Sequence, residues 1–539
     1  MEKKKNDFIA QGSILAIASI LVRVMGMIYR IPMTAIIGDK GNGFYSYAYS
    51  VYTILLLLSS YSLPLAVSKM VSAKAQLGQW RNVKRVFICA IAFAIGIGTT
   101  FGLIVLIGAQ FFTRVFFHSE LAAIALRFMA PTILIMALLG VFRGFFQGLQ
   151  NTLPTAVSQI VEGLINAIMS VVFAYFLFDF GHEMDAASGT TDLGYAWGAA
   201  GGAIGTGAGA LAVLIYCFIL FVAVNISRDK TGTQQEYGDI FRLMLSIALP
   251  VILSTSLYNL IELVDGSLFN NIMASKGMED VKDSMWGAYN AKALLLVHIP
   301  VSISSAMAVS LVPTLTAAYA LGDEQTAKSK VHAILRFISI LAFPSAVGLL
   351  VLANPIIKTL FSGDTSAAST YLQVVCPAVI TFSFSTITNS ILQGIDRMNL
   401  PVCHSLIAMA VHVVVLLILC LGFNMGIYGV IISYVIYALV ITILNFYSIS
   451  KILEYRPDVI TLFVKPAVAS GIMGIVCFGC YQLLYQFLGK AIPMLISVVV
   501  AVVVYFAVAV KCKLLTESVM RDLPKGSMLI RIAKKCRLM

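Results

Sequence analysis

Apolar runs separated by short polar stretches make up most of this chain. They fall near 11–37, 44–72, 86–111, 121–146, 154–178, 195–225, 242–272, 286–319, 331–353, 370–394, 401–422, 427–450, 463–487 and 491–511, about fourteen in all. A helix of ~20 apolar residues crosses about 30 Å of hydrocarbon. Short alternating strands of the kind that close a barrel are not visible. The pattern predicts an all-α polytopic membrane protein of about fourteen transmembrane helices.

Composition agrees: 59% of the 539 residues are hydrophobic and only 12% charged, with a mean hydropathy of +0.92. Soluble domains carry roughly 25% charged residues, so a soluble globular class is excluded. The formal charge of +12 does not point to nucleic acid, because the positive residues alternate between loops. Lys74, Arg81, Lys84 and Arg85 follow the second run, Arg228 and Lys230 the sixth, Lys328 and Lys330 the eighth, and Lys451 and Arg456 the twelfth. Basic residues also close the chain. The loop after the fifth run instead carries Asp179, Glu183, Asp185 and Asp192. By the positive-inside rule both termini of this multi-pass membrane protein are expected in the cytoplasm. Lys3, Lys4 and Lys5 resemble the start of a signal peptide, but Gln11, Gly12 and Ser13 interrupt the apolar region, so an uncleaved first span is expected. The nine cysteines lie mostly inside apolar runs and read as buried hydrophobes. Cys477 and Cys480 have CxxC spacing but no second pair.

The chain repeats itself. "GFYSY…LAVSKMVSAKAQLG" at 43–78 returns as "GAYNA…MAVSLVPTLTAAYALG" at 287–322. Pro131 matches Pro377, Gln147-Gly148 matches Gln393-Gly394, and Pro154 matches Pro401, with offsets of about 242 to 247 by subtraction. Two parallel six-helix lobes are therefore expected at 1–228 and 239–453, followed by two extra helices at 461–512 and a basic cytoplasmic tail at 513–539. Duplicated bundles of this kind place a substrate cavity at the repeat interface and alternate its access. A duplicated scaffold is the non-transporting alternative.

Charge inside the spans favours transport. Arg23 and Arg30 are seven residues apart, almost two helical turns, and share a face with Gly26 between them. Lys292 is a third intramembrane cation, near the start of the eighth run, which is the equivalent second helix of the other half. Such cations point to an anionic cargo, and arginine pairs bidentately with phosphate. Asn259, Glu262 and Asp265 form a polar stripe on the seventh run; Thr155, Gln159, Glu162, Asn166 and Ser170 form another on the fifth. Asp265 and Glu262 are candidates for balancing the cavity or binding a coupling monovalent cation. The fifth-run stripe fits interhelical hydrogen bonding equally well. His298, His404 and His412 read as structural. "GAAGGAIGTGAGA" at 198–210 lacks the strand and GK[ST] of a phosphate loop and reads as close helix packing. No motif calls for a cofactor or a resident metal, and coupling to membrane potential, Na+ or H+ is left open.

"RVMGMIYRIP", "GFYSYAYSVYT…PLAVSKMVSAKAQLG" and "VFRGFFQGLQNTLPTAVSQIVE" resemble the SpoVB-like polysaccharide transporters of Gram-positive bacteria. These lie within the multidrug/oligosaccharidyl-lipid/polysaccharide (MOP) exporter superfamily, nearest to the MurJ-type lipid II flippases. The resemblance spans essentially the whole chain. It implies two six-helix lobes around a cationic cavity and a groove, formed with the two extra helices, for a polyprenyl tail. The cargo it implies is undecaprenyl-pyrophosphate carrying the peptidoglycan precursor, moved to the outer leaflet by a non-enzymatic, monomeric flippase beside the cell-wall synthesis machinery. By the same resemblance Arg23 matches the first cavity arginine, Arg30 lies one residue past the second, and Lys292 replaces a third. Asp265 resembles the helix-seven acid of a sodium site, without a carboxylate on the eleventh helix to complete it. A further arginine late in the second helix has no counterpart in "TILLLLSSYS". Other lipid-linked glycans, such as teichoic acid or capsule precursors, remain alternative cargoes, and a MATE-like drug antiporter is a rival class. An integral-membrane glycosyltransferase is the enzyme rival, disfavoured by the short loops.

Overall fold

The computed structural model describes residues 18, 21–22, 24–60, 62–224, 234–363, 365–489, 491–522 and 526–535. Among these the chain is helical, with no strand. By internal contact it forms two compact units, residues 1–291 and 292–539.

The first unit contains α1 (Arg30–Ser59), α2 (Leu63–Gln76), α3 (Trp80–Phe117), α4 (Ala122–Gly148), α5 (Leu153–Ser188), α6 (Leu193–Ala223), α7 (Tyr237–Ser275) and α8 (Glu279–Gly287). A π-helical stretch, Ala288–Leu294, follows and carries the chain into the second unit. The second unit contains α9 (Leu295–Ala320), α10 (Glu324–Val351), α11 (Ala353–Leu360), α12 (Ser366–Val375), α13 (Pro377–Gly394), α14 (Asn399–Leu417) and α15 (Ile427–Leu453). Then come α16 (Lys465–Leu488), α17 (Ala491–Lys511), α18 (Glu517–Asp522) and α19 (Gly526–Lys535).

The expected count of fourteen spans is not confirmed. Among the described residues eleven helices are long and apolar enough to cross a membrane, or twelve if α12 and α13, bent by 44° at Pro377, form one span. The beginning of the expected first span and Arg23 lie outside the described residues. The junction expected between the first two spans falls at Gly38, whose φ of 62° breaks α1 into two helical parts. Only glycine enters that region without steric cost. The second span is broken again after Ser59, and α2 restarts with Pro64 in its first turn, where a missing N–H costs nothing.

In the first unit α2, α3, α4, α6 and α7 share an apolar core. Phe87 is its hub, stacked on Phe221 at 4.3 Å and edge-on to Phe142 and Phe145 at 5.5 and 5.1 Å. The glycine-rich run is an uninterrupted part of α6 and packs on α5: a Cβ on Gly205 would collide with Ser170, and one on Gly201 with the Phe173–Ala174 backbone. In the second unit α16 and α17 pack on each other and on α10, with Tyr505 donating to the Ile340 carbonyl at 3.0 Å. Cys477 sits in that apolar core.

Candidate functional site

Helix α1 is unusually rich in tyrosine, and its geometry sorts these residues onto two faces. Tyr45, Tyr49 and Tyr52 are spaced i, i+4, i+7; Tyr45 stacks on Tyr49 with ring centroids 5.8 Å apart, and Tyr52 lies tilted against Tyr49 at 5.9 Å. Tyr47 points elsewhere. Arg30 lies at the beginning of the same helix, within electrostatic range of Tyr29, Tyr45, Tyr49 and Glu262. No close ion pair engages it among the described residues. Beside Gly26 there is open space: a Cβ there would meet nothing within 4 Å.

Glu262 reaches this site from α7 and accepts a hydrogen bond from Asn290 Nδ2 at 3.1 Å. Asp265, one turn along α7, is buried and interacts electrostatically with Glu262. The Tyr289 hydroxyl is buried within range of both carboxylates and has no hydrogen-bond partner among the described residues. Asn290 belongs to the π-helical stretch, whose extra residue per turn re-aims its side chains relative to a regular α-helix. Lys292 lies on the same stretch and is buried, with 1% of its surface exposed.

The far end of the tyrosine face meets a second charged group. Tyr52 lies within electrostatic range of Glu162 on α5. Glu162 is clamped by Arg143 of α4 at 2.6 Å, while Arg143 Nε donates to Ser158 at 2.9 Å. The rest of the α5 stripe bonds to α6: Ser170 donates to the Gly202 carbonyl at 3.1 Å, and Thr206 approaches Asn166 at 3.4 Å. The stripe therefore contains both readings, an ion pair at Glu162 and helix cross-links beyond it.

The structure thus brings Arg30, Glu262 and Asp265 into one neighbourhood. Arg23 lies outside the described residues, as does the side chain of Asn259 on α7. Sequence reasoning did not single out Arg143, Asn290 or Tyr289 as site residues. Arg143 carried a usable signal, an arginine inside an apolar run, as did the i, i+4, i+7 tyrosines. The role of Asn290 had none, because it depends on the π-helical offset.

A face with one uncommitted guanidinium, nearby carboxylates and a row of phenols can bind an anion that also offers hydroxyl or amide groups. Arg30 supplies the charge and the phenols supply donors and flat apolar surface.

Comparison with known proteins places this geometry in context. A family model described as "Polysaccharide biosynthesis protein" matches residues 8–318, and one described as "MatE" matches residues 250–418. The lipid II flippase MurJ of Bacillus subtilis (strain 168) is 26% identical over 418 residues, covering 74% of this chain and 75% of that one. Stage V sporulation protein B of the same organism is 22% identical over 489 residues, covering 89% and 92%. Among solved structures, one titled "Lipid II flippase MurJ, inward closed conformation" superposes with a TM-score of 0.64 at 16% identity, covering 92% of this chain and 97% of that one. An inward-facing MATE family transporter of the MOP superfamily gives 0.64 at 15% identity, covering 81% and 98%.

Proposed function

Because the chain belongs to the polysaccharide biosynthesis protein family, we propose that it is a flippase for lipid-linked glycan precursors, with lipid II as its cargo. The observation that carries this reading is Arg30, placed at an apolar helix with no close counter-ion among the described residues but within range of Glu262 and three tyrosines. A guanidinium there is stabilised when an anion arrives, and a pyrophosphate offers the bidentate oxygens it prefers. Tyr45, Tyr49 and Tyr52 are suited to the sugar and peptide portion. The polyprenyl tail, of ~55 carbons, gains nothing from entering a charged site and stays in lipid or an apolar groove.

In this reading Glu262 and Asp265 hold the empty site in charge balance and are displaced or protonated when the headgroup binds. Arg23 and Lys292 are proposed as further cationic contacts, and the two sequence repeats as the halves whose rocking alternates access. Coupling through membrane potential, Na+ or H+ belongs to the same proposal, as do a plasma-membrane location, a monomeric state and action by transport rather than catalysis. Another undecaprenyl-linked glycan is the second reading, favoured by the long match to stage V sporulation protein B.

The test is mass spectrometry of lipids copurifying with the protein, joined to rescue of a strain depleted of its own lipid II flippase. Wild type is expected to carry a pyrophosphate-linked glycolipid and to rescue. Arg30→Ala is expected to lose at least tenfold of the bound lipid, and rescue with it, while keeping its thermal stability. A wild type that carries no pyrophosphate lipid, or an Arg30→Ala protein that binds and rescues fully, overturns the proposal. Export of organic cations against an ion gradient would assign it to drug transport instead.

A further inference from the structure

We propose that a recess in the second unit, at the ends of α13 and α15 and the start of α14, binds the phosphate headgroup of an anionic phospholipid. The recess has a volume of about 610 Å³ and is lined by Asp396, Arg397, Asn399, Tyr447, Ser448 and Lys451, among others. It shares no residue with the site around Arg30.

Its charge is what first distinguishes it. Arg397 and Lys451 both face the recess, and neither forms an ion pair among the described residues. Asp396 is the one acid in the lining and is likewise unpaired. The first turn of α14 adds little here, because Leu400 N–H already donates to the Arg397 carbonyl at 3.2 Å and Pro401 has no N–H. Two cations against one carboxylate leave the recess positive.

The fold of the turn does not require those cations. Helix α13 ends with Asp396 in the left-handed region, φ 59°, and Arg397 N–H returning to the Leu392 carbonyl at 2.9 Å. The matching turn of the first repeat ends α4 in the same way, with Gln150 at φ 60° and Asn151 N–H bonded to the Phe146 carbonyl at 3.1 Å. The backbone is the same while the charged position is neutral: Asn151 stands where Arg397 stands. Arg397 therefore adds something other than stability to this turn.

A buried polar network gives the recess a firm floor. Ser448 lies 3.3 Å from His404 Nε2, and His404 Nδ1 lies 2.7 Å from Asn445 Oδ1. Asn445 in turn donates to Thr388 at 2.9 Å and Asn389 at 2.8 Å. These bonds tie α13, α14 and α15 together at Ser448, which lines the recess, while the Arg397 and Lys451 side chains are exposed.

The surroundings select a lipid over a free ion. Tyr447 and Met398, both in the lining, are 66% and 63% exposed. Aromatic residues at helix ends settle at the headgroup level. The recess lies on the Lys451–Arg456 side, which the positive-inside rule assigns to the cytoplasm, the leaflet face where anionic lipids attract basic pockets. Inorganic phosphate shares the phosphoryl chemistry but has no use for the apolar rim.

Native mass spectrometry of the full-length protein, titrated with phosphatidylglycerol or phosphatidylcholine, tests this. Wild type is expected to retain phosphatidylglycerol in preference to phosphatidylcholine. The doubly substituted Arg397→Gln/Lys451→Gln protein is expected to bind phosphatidylglycerol roughly tenfold to thirtyfold more weakly. Lys330→Gln/Lys358→Gln, which removes the same charge elsewhere on this unit, should leave binding unchanged. Equal binding by wild type and the Arg397/Lys451 variant overturns the proposal. So does an equal loss in the control variant, or displacement of the lipid by millimolar inorganic phosphate. None of these outcomes depends on whether the protein moves lipid II.

Discussion

Arg143 and Lys282 are both cations placed where a bilayer protein gives them little water, and each is met by a carboxylate from the chain itself. Lys282 Nζ lies 2.9 Å from Asp283 Oδ1, and both side chains are at least nine-tenths buried. Tyr47 adds to this pair: its hydroxyl lies 3.1 Å from Asp283 and donates to Asn270 at 2.7 Å, while its ring stacks on Phe117 at 4.7 Å. Removing one member of a buried pair strands the other charge, at a cost of about 3–5 kcal/mol. Asp283→Ala is therefore expected to lower the detergent-solubilised melting temperature severely, and Lys282→Met in the same protein to restore much of the loss. Equal melting of wild type and Asp283→Ala would show that the pair contributes nothing. Arg30 differs from Lys282 in having no such close partner among the described residues, which is why ligand binding rather than folding is expected to suffer when it is removed. The intramembrane arginine was legible in the sequence because charge inside an apolar run is expensive. Glu262 and Asp265 were legible too, as a polar stripe in an apolar run, but the approach of Asn290 to Glu262 was not, since it depends on how the π-helical stretch packs against α7.

Helix packing is governed by where a side chain cannot fit. α1 and α8 approach so closely that a Cβ on Gly43 would strike the Asp283 carbonyl, and one on Gly287 the Asp39 carbonyl. Backbone atoms cannot rotate away, so Gly287→Ala is expected to cost about 1–3 kcal/mol. Gly348, within α10 and with nothing within 4 Å of a Cβ, provides the opposite case. Gly348→Ala is expected to gain up to about 1 kcal/mol from helix propensity. Thermal denaturation of the two variants should move in opposite directions. At the start of α10, outside the apolar span, Asp323 accepts the Thr326 N–H at 3.0 Å. Hydrogen bonding from Thr326, from its side chain first and its backbone N–H second, holds the carboxyl below its ordinary pKa. A carboxyl lowered on folding stabilises the folded state above its unfolded pKa, and the benefit disappears as pH falls through the lowered value. Protection of the Thr326 amide, corrected for intrinsic exchange, should therefore fall below about pH 4, and Asp323→Ala should abolish that dependence. At this scale apolar periodicity located most helices. It missed the break at Gly38, the end of α1 at Ser59 and the π-helical stretch Ala288–Leu294, because hydropathy averages over a window and does not register one residue's φ or an extra residue in a turn.

At the scale of the whole molecule, alternating loop charge makes a prediction about sidedness. With exposed native cysteines replaced, Ser188→Cys is expected to react with an impermeant maleimide from outside, and Leu321→Cys only after the cytoplasmic face is opened. Labelling of both from the same side would overturn the orientation. The internal repeat was readable because its anchors keep a nearly constant offset. The compact units follow a different division: α7 and α8, which the repeat assigns to the second half, pack in the first unit against α1 and α3.

The sequence alone determined that the chain is helical, membrane-embedded and duplicated, because hydrophobic run length, charge spacing and repetition are properties of one dimension. Tertiary structure alone decided which charges are satisfied. It paired Arg143 with Glu162, placed Arg30 near Glu262 and a row of tyrosines, and left Arg397 and Lys451 unpaired beside a recess. Electrostatic energy depends on distance and burial in space, and residues separated by hundreds of positions acquire both only when the helices pack.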